Sequence, residues 1–313
     1  MQWGRRYFAV QAVAGIAWWV AVFASPLVRE TTLGHLDPIV VAAFDIPLFV
    51  VASAAAAFGL RAAAVVSTGW TGLVTAGLAL YATITTEAGW GVLLMGAAAA
   101  CSAIALCLVV FGNIPTGWLI RGPFAFRPAG ARPTAASHLV STFGQIVVFW
   151  GLFLIVIPLG IVALERRWAV ALPLPPFASA PGVALFVLAS ALGIWSAVVM
   201  STRGQGTPLP AAMPNHLVIA GPYRSVRNPM AIAGIAQGVA VGLILQSWLV
   251  IAYAVVGSLV WNYAVRPHEE ADLEKRYGDE FKRYRDTVRC WIPRVRMVEP
   301  HADHVREKAP GIF

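Results

Sequence analysis

Eight apolar runs of roughly membrane-spanning length divide this chain and leave it little choice of fold. They lie near residues 7–28, 38–60, 62–84, 89–112, 138–163, 181–202, 230–245 and 247–265. About twenty consecutive apolar residues, wound as a helix, cross the hydrocarbon core of a bilayer. In that medium a backbone must satisfy its own hydrogen bonds, which only helices and closed barrels do. The runs are apolar all round rather than at alternate positions, so they predict helices. The expectation is an all-α, polytopic transmembrane bundle of about eight spans. Composition agrees: 58% of the 313 residues are hydrophobic and 12% are charged, about half the charged fraction of a soluble domain. The last two runs are short and separated only by Gln246 and its neighbours, so they read as a tight helical hairpin.

The charges supply an orientation. Arg5 and Arg6 precede the first run, Arg61 follows the second, Arg121, Arg127 and Arg132 follow the fourth, and Arg203, Arg224 and Arg227 follow the sixth. The alternate loops carry Arg29, Glu30 and Asp37, then Glu87, then Glu165, Arg166 and Arg167, of which only the last set opposes the trend. Basic loops stay on the cytoplasmic side, which predicts that both termini are cytoplasmic. The same loops account for the net charge of +8 through topology and attraction to anionic headgroups; no nucleic-acid module is visible. Arg5 and Arg6 resemble the start of a signal peptide. The apolar stretch after them is long, however, and no small-residue cleavage site leads into a soluble domain, so a retained span is expected. Cys101, Cys107 and Cys290 show neither metal-ligand spacing nor a disulfide framework and read as packing residues.

A break in composition at 113–136, with Pro115, Gly117, Gly122, Pro123, Pro128, Gly130 and Pro133, predicts a cytoplasmic linker. It separates a four-span block, 1–112, from a second block, 137–295; residues 296–313 are polar and predicted to be disordered. After the last run, Leu273, Tyr277, Phe281, Tyr284 and Val288 recur at three- and four-residue steps, opposite Glu274, Lys275, Asp279, Glu280, Lys282, Arg283 and Arg285. This stripe predicts an amphipathic cytoplasmic helix that lies in the interface or docks on the span ends, stopped by Pro293.

A few polar residues stand out against the apolar background. Gly221-Pro222 is a turn, and Pro229 opens the seventh run, where a missing N–H costs little. The helix start beside Arg224 and Arg227 is electropositive and suits a carboxylate or phosphate, although positive-inside anchoring explains the arginines equally well. Glu269 and Glu270 are adjacent acids at a membrane boundary. They fit a bound cation, or simply acids in the first turn of a solvated helix. Gly204-Gln205-Gly206-Thr207-Pro208 is a loop in which two glycines let a backbone approach a ligand. Asp45, inside the second run and followed by Pro47, is either a functional intramembrane acid or the partner of another span. Asn262 reads as an interhelical hydrogen-bonding residue, and His138 as interfacial.

The order of these segments resembles the isoprenylcysteine carboxyl methyltransferase and phospholipid methyltransferase superfamily of integral membrane enzymes, bacterial type, over residues ~137–295. The likeness rests on the Gly-rich Thr207-Pro208 segment, Gly221-Pro222-Tyr223-Arg224-Ser225-Val226-Arg227-Asn228-Pro229-Met230, and a hairpin leading to Glu269-Glu270-Ala271-Asp272-Leu273. Tyr277-Gly278, Phe281, Tyr284 and Trp291-Ile292-Pro293 complete it. The resemblance implies an S-adenosyl-L-methionine site on the cytoplasmic face of a bacterial inner membrane. It nominates Gly204, Gly206, Tyr223, Arg227, Asn228, Glu269 and Glu270 for the cofactor, with Arg227 and Asn228 at the reaction, and implies no metal. Two positions depart from the family pattern: Asn228 stands where many members carry His, and Ala231 where Tyr is common. The implied acceptor is lipid-like or hydrophobic: a prenylated or other lipid-like carboxylate, a phospholipid amine, or a small thiol. A membrane reductase using NADPH, of the sterol or enone type, shares the C-terminal architecture, and a non-catalytic transporter or scaffold would account for the extra four spans and Asp45.

Overall fold

The computed structural model describes residues 2–117, 143–144, 147–204 and 215–293. Most of the 113–136 linker, His138, Gly206 and the 296–313 tail lie outside the described residues. Within them every regular element is a helix. Seven helices are long and apolar enough to cross a membrane, and an eighth apolar helix, Pro229–Ile244, has 16 residues, about 24 Å at the α-helical rise. The protein is an integral membrane protein of the expected all-α class.

Local sequence sets the helix starts. Helix α1 spans Gln2–Ala24. Ser25 and then Pro26 open the short α2, Pro26–Leu33, which the hydropathy pattern does not reveal. Asp37 caps α3, Pro38–Ala57, its carboxylate accepting from Ile39 N at 2.8 Å and Val40 N at 3.1 Å, with Pro38 in the first turn. Here the polar cap satisfies two orphan donors and the proline removes another. Helices α4, Arg61–Thr85, and α5, Gly89–Val110, complete the first block. Next come α6, Val147–Arg167, α7, Ser179–Gly204, and α8, Pro229–Ile244. Helix α9, Trp248–Val260, runs through a π turn at Trp261–Val265 into α10, Arg266–Thr287.

The chain forms two compact units. The first holds residues 2–117 together with Val156–Ala178 and Leu245–Val250. At its centre a closed polar network joins four helices: Gln11 Nε2 donates to Ser53 and Ser67 at 3.0 Å each, and Ser102 donates to Gln11 Oε1 at 2.7 Å. Fully satisfied networks of this kind fix helix register in a medium that gives helices little hydrophobic reason to associate. Asp45 is 3% exposed and held by two indoles, Trp19 Nε1 at 2.9 Å and Trp70 Nε1 at 2.7 Å. The backbone relaxes into a π turn, Ile46–Val51, just beyond it. Asp45 is therefore tied to neighbouring spans. A cavity of about 590 Å³ lined by Ile16, Trp19, Val20, Phe23, Ile46 and Val50 lies in this unit, with almost no polar wall.

The tip of the α8–α9 hairpin belongs to the same unit. Ser247 donates to the buried Glu165, Trp248 Nε1 donates to Val170 O at 2.9 Å, and Trp248 stacks on Trp90. The turn itself places Gln246 at φ 56°.

The second unit contains residues 147–155, Ser179–Ile244 and 251–293. Small residues bring its helices together. A Cβ on Gly182 would lie 2.9 Å from Leu243, and one on Gly238 2.8 Å from Ala254, the close approach that membrane helices use in place of hydrophobic drive. Gln237, 2% exposed, donates to Ser190 at 2.9 Å across α7 and α8. The expected amphipathic stripe is present: Phe281, Tyr284 and Val288 are buried and packed with Leu273, Tyr277, Leu217 and Ile219. Two details differ from the sequence reading. Gly278, at φ 53°, breaks α10 into two pieces, and the helix stops at Thr287, before Pro293.

Candidate functional site

All the nominated residues that the structure describes fall in the second unit, on three segments: the end of α7, the turn before α8, and α10. Gly204 closes α7, and its carbonyl accepts from Asn215 N at 2.7 Å and His216 N at 3.3 Å. The chain then packs Leu217 and Ile219 on the α10 stripe. Gly221 turns it with φ 54°, where a Cβ would also meet Val199 at 3.0 Å. Conformation and space therefore both demand glycine.

That glycine opens a short 3-10 turn, Gly221–Arg224, clipped to the last part of the chain at two points. Tyr284 donates its hydroxyl to Tyr223 O at 2.7 Å, and Arg227 N donates to Arg289 O at 3.0 Å. Asn228 then caps α8 by accepting from Ala231 N at 3.3 Å, ahead of Pro229. Its side-chain oxygen therefore has a structural job at the start of this helix.

The π turn adds a residue to the helical register just before Arg266, so α10 presents a different face from the one α9 would extrapolate. On that face Glu270 lies 3.2 Å from Arg227 Nη1, with side-chain exposures of 26% and 13%. Arg266, one turn before Glu270, also feels its charge and contacts Cys290. Glu269 makes no ion pair or hydrogen bond among the described residues. It keeps some surface, yet its carboxyl lies deep enough among protein atoms that burial pushes it up to about 7, with the charges of Glu270 and Asp272 adding. Burial likewise raises the phenols of Tyr223 and Tyr284. Tyr284 and Glu269 add to the first shift, and Arg227 opposes the second. Tyr223, Arg227, Glu269 and Glu270 thus form one electrostatic cluster, with Tyr284 and Arg266 as members.

Trp291 sits beside it with its indole N–H given to Asn262 Oδ1 at 2.9 Å and its ring edge-to-face with Trp261. Asn262 therefore holds the segment after α10 and does not bridge two spans. A cavity of about 240 Å³ in this unit is lined by apolar side chains including Trp150, Phe186 and Ile244 and none of the cluster.

The donor set can be tested against a zwitterionic, cationic ligand. Arg224, Arg227 and Arg266 each bury an Nε without a hydrogen-bond partner, and Arg227 Nη1, although near Glu270, lacks hydrogen-bond alignment. Orphaned guanidinium donors beside an unpaired carboxyl fit a ligand carrying both a carboxylate and an ammonium group. Among the described residues no group of His, Cys, Asp and Glu could hold a metal.

Arg266 is the residue that inspection of the sequence missed. Its spacing to Glu270, four residues on a helix, was the available signal. Residues 177–280, a third of the chain, match the family model described as phospholipid methyltransferase. The match runs from just before α7 through the turn and the hairpin to the glutamate pair, inside the region that the ordered motifs had marked. No curated protein matches the chain. Over that third the chain is similar to the phospholipid methyltransferase family, in a helical membrane fold.

Proposed function

We propose that this protein is an integral membrane methyltransferase that takes its methyl group from S-adenosyl-L-methionine and gives it to a lipid-like acceptor. The observation that carries the reading is the Arg227–Glu270 contact at 3.2 Å beside an unpaired Glu269 and three arginines with unmatched guanidinium donors, all between Gly204 and Arg289. In this reading Arg227, with Arg224 or Arg266, grips the amino-acid carboxylate. Glu269 faces the ammonium group. Tyr223 packs beside the ligand, and the backbone at Gly204 allows close approach. Asn228 sets the position of Arg227 by starting α8.

The cofactor supplies an activated methyl group on sulfur. Transfer of that methyl group to an acceptor lone pair would be a displacement, for which Arg227, Glu269 and their neighbours would hold and orient the bound cofactor. Such a displacement needs alignment more than proton transfer, and a carboxylate acceptor arrives already ionised at neutral pH. The cluster therefore acts by binding and orienting.

The site's place at the ends of membrane helices supports a lipid-like acceptor. A prenylated or otherwise lipid-like carboxylate fits, entering sideways from the bilayer. The arginine distribution supports an orientation with both termini cytoplasmic, the family resemblance supports a bacterial inner membrane, and the four N-terminal spans belong to the unit that carries none of the nominated residues, so their function is read as lying outside cofactor binding. Purified protein in vesicles, incubated with S-adenosylmethionine bearing a labelled methyl group and a membrane lipid extract, should transfer label to an extractable lipid. Label that stays wholly in the aqueous phase would overturn the lipid acceptor.

A further inference from the structure

The chain that leaves α10 returns across the charged cluster and is tied to it residue by residue. Val288, fully buried, ends the stripe. Arg289 O then accepts from Arg227 N at 3.0 Å, Cys290 contacts Arg266, and Trp291 gives its indole N–H to Asn262 Oδ1 at 2.9 Å. Asn262, in the π turn, is followed at four-residue steps by Arg266 and by Glu270, which holds Arg227 at 3.2 Å. In an α-helix a four-residue step overshoots one turn by about 40°. In a π turn, where each hydrogen bond reaches five residues on, the same step falls short of one. The turn at Trp261–Val265 therefore offsets the drift, and the three residues stay near one face.

Trp291 is held on two sides. Asn262 fixes its nitrogen edge, and Trp261 meets it at 90° with ring centroids 5.4 Å apart. The residue is still partly exposed, so an oriented flat surface remains for a planar ligand group to stack on. Distance says which group could reach it. The eight residues from Asn262 to Glu270 rise about 12 Å along the helix. In S-adenosyl-L-methionine about nine single bonds separate the ammonium nitrogen from the adenine, about 10–11 Å when extended, the reach of three residues of backbone. A ligand whose amino-acid end sits at Arg227 and the glutamates thus brings its base to Trp291.

We propose that Trp291 forms the adenine subsite and that Asn262 is the positioning residue that holds its ring. This rests on the methyltransferase reading above and adds to it the nucleoside end of the cofactor. The charged cluster takes the amino-acid end, and the segment Arg289-Cys290-Trp291 carries the site along the helix to the base.

The test is competition against radiolabelled S-adenosylhomocysteine on the full-length protein. The competitors are unlabelled S-adenosylhomocysteine and S-ribosylhomocysteine, which carries a hydroxyl in place of the base. The parent should prefer the adenosyl compound. Trp291→Leu should weaken that compound by about five-fold or more and leave the ribosyl compound close to its parent value. Trp291→Phe, which keeps a flat ring, should retain most of the preference. Asn262→Leu should lower the preference with Trp291 still in place, and should add nothing to Trp291→Leu, as expected of two residues acting through one contact. Arg227→Lys, at the other end of the ligand, should weaken both compounds alike. A Trp291→Leu variant that weakens both compounds equally, or neither, would overturn this inference and leave the methyltransferase reading standing. Losses from Asn262→Leu and Trp291→Leu that simply add would do the same. If Trp291→Leu does not fold, Trp291→Phe and Asn262→Leu carry the comparison, and an Asn262→Leu preference equal to the parent's would overturn the inference. A parent that does not bind the labelled S-adenosylhomocysteine would overturn both.

Discussion

Replacing Arg227 with lysine separates a ligand-binding arginine from a topological one. In the empty protein Arg227 uses one end of its guanidinium, Nη1, against Glu270 at 3.2 Å, and buries Nε with no partner. Lysine keeps the charge and can still meet Glu270, but it loses the planar fork. In the empty state the loss is small, because the missing Nε was making no bond; removing an unpaired buried donor is neutral or slightly favourable, within about 1 kcal/mol. In the liganded state the loss is one charge-assisted hydrogen bond, about 1.5–3 kcal/mol, or ten- to a hundred-fold in affinity. The expected signature is therefore a thermal midpoint close to the parent's, with S-adenosylhomocysteine affinity, measured by calorimetry, reduced at least ten-fold. A pure positive-inside anchor predicts no change in either, since lysine serves that purpose equally. A lysine variant that binds like the parent, or that loses stability while keeping its affinity, would refute the assignment.

Three further perturbations test other links. Tyr284→Phe removes the 2.7 Å bond to Tyr223 O and leaves that buried carbonyl unmatched; it should cost about 1–3 kcal/mol and weaken cofactor binding, and a variant with unchanged melting and binding would show that the clip does not hold the turn. Asp45→Asn places an amide N–H against one of two indole donors and should lower stability by about 1–3 kcal/mol without changing cofactor affinity; lost affinity would give Asp45 a part in the site. The melting temperature of the empty protein should fall as pH rises from about 5 to 7 and then flatten, because folded Glu269 keeps a proton that the unfolded chain has already released above about pH 4.3. In Glu269→Gln that slope should shrink, and an unchanged slope would assign it to other groups.

Much of the architecture is legible because bilayers impose length and all-round apolarity, and the segments near Asp37-Pro38 and Asn228-Pro229 announce their helix starts by local chemistry. The stripe from Leu273 to Val288 is equally plain, since one periodicity carries it. What is not legible depends on distant partners. Gln11, Ser53, Ser67 and Ser102 look like small polar fillers in four separate spans, and only packing makes them one network. Asp45 could not be assigned without knowing that Trp19 and Trp70 reach it. The break at Gly278 is hidden because the stripe continues across it, and the grouping of Leu245–Val250 with the N-terminal helices follows from Trp90 and Glu165, far away in sequence. In the candidate site the glutamate pair and Arg227 can be picked out as residues, but their unequal pairing cannot. It depends on the π turn at Trp261–Val265, which sets the face that α10 presents.

The most direct test of the central claim is a calorimetric titration of the purified full-length protein with S-adenosylhomocysteine, run beside NADPH. The account predicts saturable binding of S-adenosylhomocysteine, weakened in Arg227→Lys, and no heat from NADPH. Saturable NADPH binding with none for S-adenosylhomocysteine would contradict it and turn the same architecture into a reductase.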